Sequence, residues 1–170
     1  MMCNRRLCLI AVLWSIASGC ANGPIGLSPE EARLANSLAG VWTIRLSMTT
    51  APFGARVIEK KSDIDGQIAL LRNSSIARRY AHLTAVTNYG SYNIDFSPFG
   101  FDSPETGKPT SVLAGPFNTD SITILLSPNR DDMEIRMMGK LAADSVEGTW
   151  SVAFSRAGVG GGRFTMHKVR

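Results

Sequence analysis

Apolar and polar residues alternate with a period of two through the carboxyl-terminal half of the chain. In the first such run, Ile122, Ile124 and Leu126 share one phase, and Thr123 and Leu125 share the other. The alternation recurs at 133–138, 146–154 and 164–168. Successive side chains of a strand point to opposite faces, so this pattern predicts strands with one buried face.

Short segments of turn-forming residues separate these runs. Segments 118–120, 128–131 and 143–145 are rich in Asn, Asp and Ser, which tolerate left-handed backbone or cap their own main chain. The glycine-rich segment 158–162 predicts a flexible loop before the last strand. Strands that follow one another at this spacing without an intervening helix predict an antiparallel meander.

A helix is predicted at 29–38, ahead of the strands. Ser28 is a suitable N-cap, Pro29 suits the first helical position, and Glu31 completes a capping box. Gly40 predicts the end of this helix. The strand that follows places four apolar residues on one face, namely Trp42, Ile44, Leu46 and Met48.

The middle of the chain predicts further strands. Segments 56–61, 67–72 and 80–96 have extended character, with a turn at 63–66, a break near Gly90 and a long loop at 95–109. The phenylalanines around this loop, Phe96, Phe99 and Phe101, either form a lid or pin the loop. The sequence therefore predicts an all-β fold, an antiparallel meander closing into a roughly eight-stranded barrel after one short helix.

The first twenty residues have the anatomy of a secretory signal. Two arginines at 5–6 precede an apolar core at 7–16 that is short for a membrane span, and small residues at 17–19 lead into Cys20. This ending resembles the bacterial lipobox, which implies that Cys20 is acylated and anchors the chain. An ordinary signal peptide cut nearby is the alternative.

These features predict three parts: a signal peptide at 1–19, a tether at 20–27 and a single barrel domain at 28–170. The three cysteines are Cys3, Cys8 and Cys20, so the predicted domain contains no disulfide. Loss of Arg5 and Arg6 leaves 16 basic against 14 acidic side chains, a net charge of +2. This balance argues against a nucleic-acid partner.

Two sets of short motifs resemble known proteins. Gly40-Val41-Trp42 resembles the Gly-x-Trp opening of lipocalins, in which the Trp closes one end of an eight-stranded barrel under a late Arg. The resemblance implies that Arg163 or Arg170 covers Trp42. The later motifs, 148–150 (Gly-Thr-Trp) and 161–164 (Gly-Gly-Arg-Phe), resemble small bacterial lipocalin-like (calycin-like) lipoprotein domains of unassigned activity. This likeness extends over 38–170.

The sequence offers little for catalysis. It contains two histidines, His82 and His167, and no Gly-x-Ser-x-Gly elbow that would present a nucleophilic serine. His167 is out of phase with Phe164 and Met166 and is expected to face solvent. Paired histidines and free thiols for a metal are lacking. We expect a protein that is not an enzyme and that uses no metal or cofactor.

Two functional hypotheses follow. In the first, inward Met and aromatic side chains line a site for a lipid or other small hydrophobic molecule; the expected lining residues are Trp42, Met48, Met133, Met137, Trp150 and Phe154. In the second, the same residues fill the barrel, which then serves as a structural or interaction module of the cell envelope. Both place the protein at a membrane through Cys20. Ala21 suggests the outer membrane, facing the periplasm, if the cell is Gram-negative.

Overall fold

The computed structural model describes residues 26–50, 63–73, 80, 83–100, 110–118, 120–127, 134–154 and 158–170. These residues form one α-helix, eight strands and a short 3₁₀ turn at Ser97–Phe99. The elements are α1 (Pro29–Leu38), β1 (Gly40–Thr50), β2 (Asp63–Arg72), β3 (Asn88–Ile94), β4 (Ser111–Asn118), β5 (Ser121–Leu126), β6 (Glu134–Ala142), β7 (Ser145–Phe154) and β8 (Gly158–Lys168).

The eight strands form a closed antiparallel meander. Each strand pairs with the next along the chain, and β8 pairs with β1 to close the barrel. At this seam Trp42 lies opposite Lys168 and Leu46 lies opposite Phe164, with a register shift between Met48 and Thr50. Closure leaves none of these strands with an unpaired edge. The predicted fold class is therefore confirmed.

The helix α1 lies at the end of the barrel where β1 begins, which we call the α1 end. Its start is the predicted capping box: the Glu31 amide donates to the Ser28 hydroxyl at 3.2 Å, and the Ser28 amide donates to the Glu31 carboxylate at 2.8 Å. Ala35 and Leu38 are buried against the barrel. The helix thus closes part of this end.

The interior of the barrel is occupied by one cluster of buried apolar side chains, and each of the eight strands contributes at least two residues to it. The opposite, distal end is covered by Phe96 and Phe99 from the turn after β3, and both are buried. Phe99 stacks on Trp150 with ring centroids 5.5 Å apart, and Phe96 meets Tyr92 edge to face. These two rings therefore pin the turn into the core, whereas Phe101 lies outside the described residues.

The predicted alternation is confirmed in β1, β6, β7 and β8, where one phase is buried. β5 differs, because Thr123 and Leu125 are buried as well as the inward residues. Leu83 and Val86 cover the outer face of β5 at Leu125, where they pack in a second, smaller cluster. The outward phase of β5 is therefore buried by the chain itself.

The predicted turn at 63–66 is wrong, because these residues are the first part of β2. Ile64 is buried in the core, and Asp65 pairs with Arg45 on β1 through two hydrogen bonds of 2.7 and 3.0 Å. Asp and Gly favour turns only when no partner strand fixes them. Here the register with β1 places Ile64 inward and Asp65 outward, as a strand requires.

The predicted break near Gly90 and the predicted loop at 158–162 are also wrong, because both lie within strands. A Cβ atom at Gly90 would overlap the Ala69 carbonyl oxygen, and one at Gly162 would overlap that of Ser47. Glycine in a strand often marks such a close approach of two backbones. These glycines therefore permit the tight curvature of a small barrel.

Candidate functional site

The structure places four of the six predicted lining residues. Trp42, Met137 and Trp150 are fully or almost fully buried in the central cluster, and Met48 is partly buried against it. Met133 lies outside the described residues, as do Cys20 and the side chain of Phe154, whose backbone ends β7. The inward face predicted for the described residues is therefore present, and it consists of side chains in contact with one another.

Trp42 closes the barrel beneath α1. Its indole N–H donates a 2.8 Å hydrogen bond to the Leu38 carbonyl oxygen in the last turn of the helix. The Lys168 ammonium lies 5.5 Å from the centre of the Trp42 ring and donates at 2.9 Å to the Ser37 carbonyl oxygen. The cation over this tryptophan is thus a lysine, which corrects the expectation of Arg163 or Arg170.

The two arginines have other surroundings. Arg163 is exposed on the outer face of β8, in register with Ser47 on β1 and Thr149 on β7. Arg170 forms a 2.9 Å ion pair with Asp144 in the turn between β6 and β7. The alternation explains the difference, because Lys168 shares the inward phase of Phe164 and Met166, whereas Arg163 has the outward phase.

A cavity of about 760 Å³ opens at the α1 end, between α1, the β4–β5 hairpin and the β6–β7 turn. We call it the mouth cavity. Apolar side chains from four elements line it, namely Leu34, Pro116, Ile122 and Leu141. Ile122 is buried and belongs to the central cluster, so the cavity has the top of the barrel core as its floor.

The rim of the mouth cavity is charged. Glu30 and Glu31 from the first turn of α1 and Asp120 from the β4–β5 hairpin line it, together with Arg33. Three carboxylates against one guanidinium give the opening a negative balance. The hairpin is held by the Asn118 side chain, which accepts a 2.9 Å hydrogen bond from the Asp120 amide.

A second cavity of about 650 Å³ lies on the outside of the barrel, over β8, β1, β2 and β3. Its lining is mainly polar and includes Gln67, His167 and the ion pair of Arg45 with Asp65. The pKa of Arg45 is raised above its ordinary value, first by the hydrogen bond to Asp65 and then by attraction to the same carboxylate. Both partners are largely exposed, so the pair organises the surface more than it stabilises the fold.

Groups suited to chemistry are sparse in the described part of the chain. Within it, no three His, Cys, Asp or Glu side chains come together as metal ligands. His167 is exposed, as expected, and His82 lies outside the described residues. Among the helices that can be described, none is both long and apolar enough to cross a membrane.

The chain was compared with protein-family models, with curated proteins and with solved structures. None of these comparisons gave a match. The eight-stranded antiparallel barrel is consistent with a lipocalin-like fold.

Sequence reasoning missed the mouth cavity. The alternation predicts only that Ile122 shares one face of its strand with Ile124 and Leu126, and neither Leu34 nor Leu141 is among the predicted lining residues. The length of the helix could have indicated the cavity, because a helix of ten residues is only about 15 Å long. A helix of that size covers part of a barrel end and leaves an opening beside it.

Proposed function

We propose that this chain is a lipid-anchored, non-enzymatic protein of the cell envelope that binds a small amphipathic molecule in the mouth cavity. The observation that carries the proposal is a cavity of about 760 Å³ whose floor is the buried Ile122. This volume lies within the range of about 300–1,000 Å³ that is typical of ligand sites, and the lining combines apolar residues with a larger number of polar ones.

The lining of the cavity favours a particular class of ligand. Leu34, Ile122 and Leu141 offer apolar surface at the bottom, which suits a hydrocarbon body. Glu30 and Asp120 at the rim favour a cationic or hydrogen-bond-donating head group over an anionic one. The proposed ligand is therefore an apolar molecule with a basic head, held with the head toward solvent.

Fluorescent probes test the binding proposal. An alkylamine and a fatty acid of equal chain length, each with a dansyl group at the end remote from the head group, differ mainly in head-group charge, and we expect the amine to bind more tightly to the purified protein. Leu34→Trp fills the cavity from α1 and is expected to weaken binding by about tenfold or more. Thr165→Trp, on the polar outer cavity, is the matched control and should leave affinity unchanged. Failure of both probes to bind, or equal affinities in the two tryptophan variants, would contradict the proposal.

The anchor is a separate part of the proposal and rests on the 17–20 motif. Acylation of Cys20 adds about 0.8 kcal/mol of membrane affinity per buried CH₂, and several chains together give stable anchoring. Cys20→Ser should release the protein into the aqueous phase in detergent phase separation and remove the acyl mass from the intact protein. A wild-type chain that stays in the aqueous phase would contradict the anchor.

A second candidate is a structural or interaction module without a ligand. The buried state of Trp42, Met137 and Trp150 supports it, because an interior filled by side chains leaves the barrel as a rigid scaffold. Native mass spectrometry of the purified protein separates the two candidates. A co-purifying small molecule that is lost in Leu34→Trp supports the ligand carrier, and a bare chain together with failure of both probes supports the scaffold.

A further inference from the structure

An exposed row of apolar side chains crosses the outside of the barrel near the α1 end. The row, which we call the outer apolar row, consists of Val169, Val41, Leu71 and Tyr89, with exposed fractions of 48, 43, 59 and 47%. Together they come from β1, β2, β3 and the residue that follows β8. Single exposed apolar residues are ordinary, but a contiguous set marks a contact surface.

The strand register makes this row continuous. The Val169 amide donates a 2.8 Å hydrogen bond to the Val41 carbonyl oxygen, and Val41 lies opposite Ala69. Leu71 is two residues beyond Ala69 on the same face, which makes it the diagonal neighbour of Val41. Leu71 in turn lies directly opposite Tyr89.

The same row continues onto β4 and β5, where the chain covers it. Tyr89 lies opposite Leu113, and Leu113 lies opposite Leu125. At these two positions Leu83 and Val86 pack over the strands, and Leu125 is fully buried. One half of the row is therefore covered by the chain itself, and the other half offers a similar apolar surface to an outside partner.

The surroundings of the row identify that partner. Along the barrel axis the same outer faces become polar, with Thr43, Gln67 and Asn93 around the second cavity. Arg72 directly follows Leu71, and Arg170, paired with Asp144, directly follows Val169. An apolar band with a tyrosine, flanked by arginines and bordered by a polar surface, is the arrangement of a protein face at a membrane interface.

The position of the tether supports a membrane over a protein partner. The chain leads from Gly26 into α1 at the same end of the barrel as the row. Cys20 precedes Gly26 by six residues, which span at most about 20 Å. We propose that the outer apolar row rests on the lipid surface to which Cys20 anchors the chain, so that the distal end with Phe96 and Phe99 points away from it. This inference rests on the anchor of the proposed function.

Site-specific labels test the orientation. The predicted processed chain has no cysteine other than Cys20, so a single new cysteine can carry an environment-sensitive dye. Leu71→Cys places the dye in the row, and Gln67→Cys, on the same face of β2 and about 13 Å away, is the matched control. On phosphatidylethanolamine–phosphatidylglycerol vesicles with nitroxide-labelled lipid, we expect quenching of the Leu71 label to be at least about twofold stronger than that of the Gln67 label.

A second arm separates the orientation from the anchor. The labels are also read in Cys20→Ser protein held on nickel-chelating vesicles of the same composition by a hexahistidine tag placed before residue 21. Strong quenching at 71 and weak quenching at 67 in this arm supports the orientation even if the wild-type chain proves unacylated. Equal, weak quenching of both labels on vesicles overturns it. Shielding of the 71 label without vesicles, rising with protein concentration, also overturns it, because the row would then contact a second copy of the chain.

Discussion

The indole N–H of Trp150 on β7 donates a 3.0 Å hydrogen bond to the carbonyl oxygen of Ser47 on β1, although these strands are not neighbours. The strand between them is β8, whose Gly162 lies opposite both Trp150 and Met48. The absence of a side chain at Gly162 lets the indole reach across. This contact joins three strands at the seam where the barrel closes.

Loss of this hydrogen bond should weaken the seam. We expect Trp150→Phe to lower the free energy of unfolding by about 1–3 kcal/mol, because the Ser47 carbonyl loses its side-chain donor while a ring remains against Phe99. Urea unfolding followed by circular dichroism measures the change. Ser47→Ala keeps the carbonyl and should stay within about 0.5 kcal/mol of wild type. Equal effects of the two substitutions would contradict the assignment.

The glycine at the seam should be intolerant of a side chain. Gly162→Ala places a Cβ atom onto the Ser47 carbonyl oxygen, and we expect it to cost about 3 kcal/mol or more. Gly26→Ala is the control, since a Cβ there has no heavy atom within 4 Å, and it should change stability by less than about 0.5 kcal/mol. A well-folded Gly162→Ala protein of wild-type stability would contradict the close approach of β8 to the Ser47 carbonyl oxygen on β1.

The lysine over Trp42 should hold the helix in place. Lys168→Met keeps most of the aliphatic stem but removes the hydrogen bond to Ser37 and the charge over the ring, so we expect a loss of about 1–3 kcal/mol. Faster proteolysis within α1 should accompany it. The neighbouring exposed His167→Gln serves as the control and should behave as wild type in both measurements. An unchanged cleavage rate in Lys168→Met would count against this role of the lysine.

The turn between β6 and β7 should accept a stabilising substitution. Ala143 has a φ of 49°, a conformation that costs a residue with a Cβ about 1–2 kcal/mol. Ala143→Gly removes this cost, although glycine also increases the entropy of the unfolded chain. We expect the free energy of unfolding to rise by about 0.5–1 kcal/mol on balance. The thermal midpoint should rise. Ala39→Gly, at a position with φ of −64°, should lower the midpoint, so a decrease in both variants would contradict the expectation.

The sequence predicted the barrel where local and tertiary signals agree. In β7 and β8 the apolar phase through Val146, Trp150 and Phe164 is the phase buried in the structure. The capping box of Ser28 and Glu31 likewise depends only on residues three apart, so it was visible from the chain alone.

The failures occur where a distant strand determines the conformation. Gly90 and Gly162 suggest loops by composition. Their role, however, is to let the backbone of a neighbouring strand approach closely, and only the strand register reveals that approach. Lys168 was not predicted to cover Trp42, because the lipocalin resemblance implies an arginine there and does not specify which face of the last strand the residue occupies. The mouth cavity was missed because it belongs to no single element.

Three side-chain donors bond to the last turn of α1, and two of them come from far along the chain. Trp42 on β1, Asn88 on β3 and Lys168 on β8 donate to the carbonyl oxygens of Leu38, Ala35 and Ser37, respectively. A ten-residue helix is marginal in isolation, so it gains stability from these bonds and from packing. Among the described elements α1 comes first and β8 last, so one of the three bonds that hold the helix can form only after β8 is made. A chain truncated before residue 168 would therefore hold α1 less firmly.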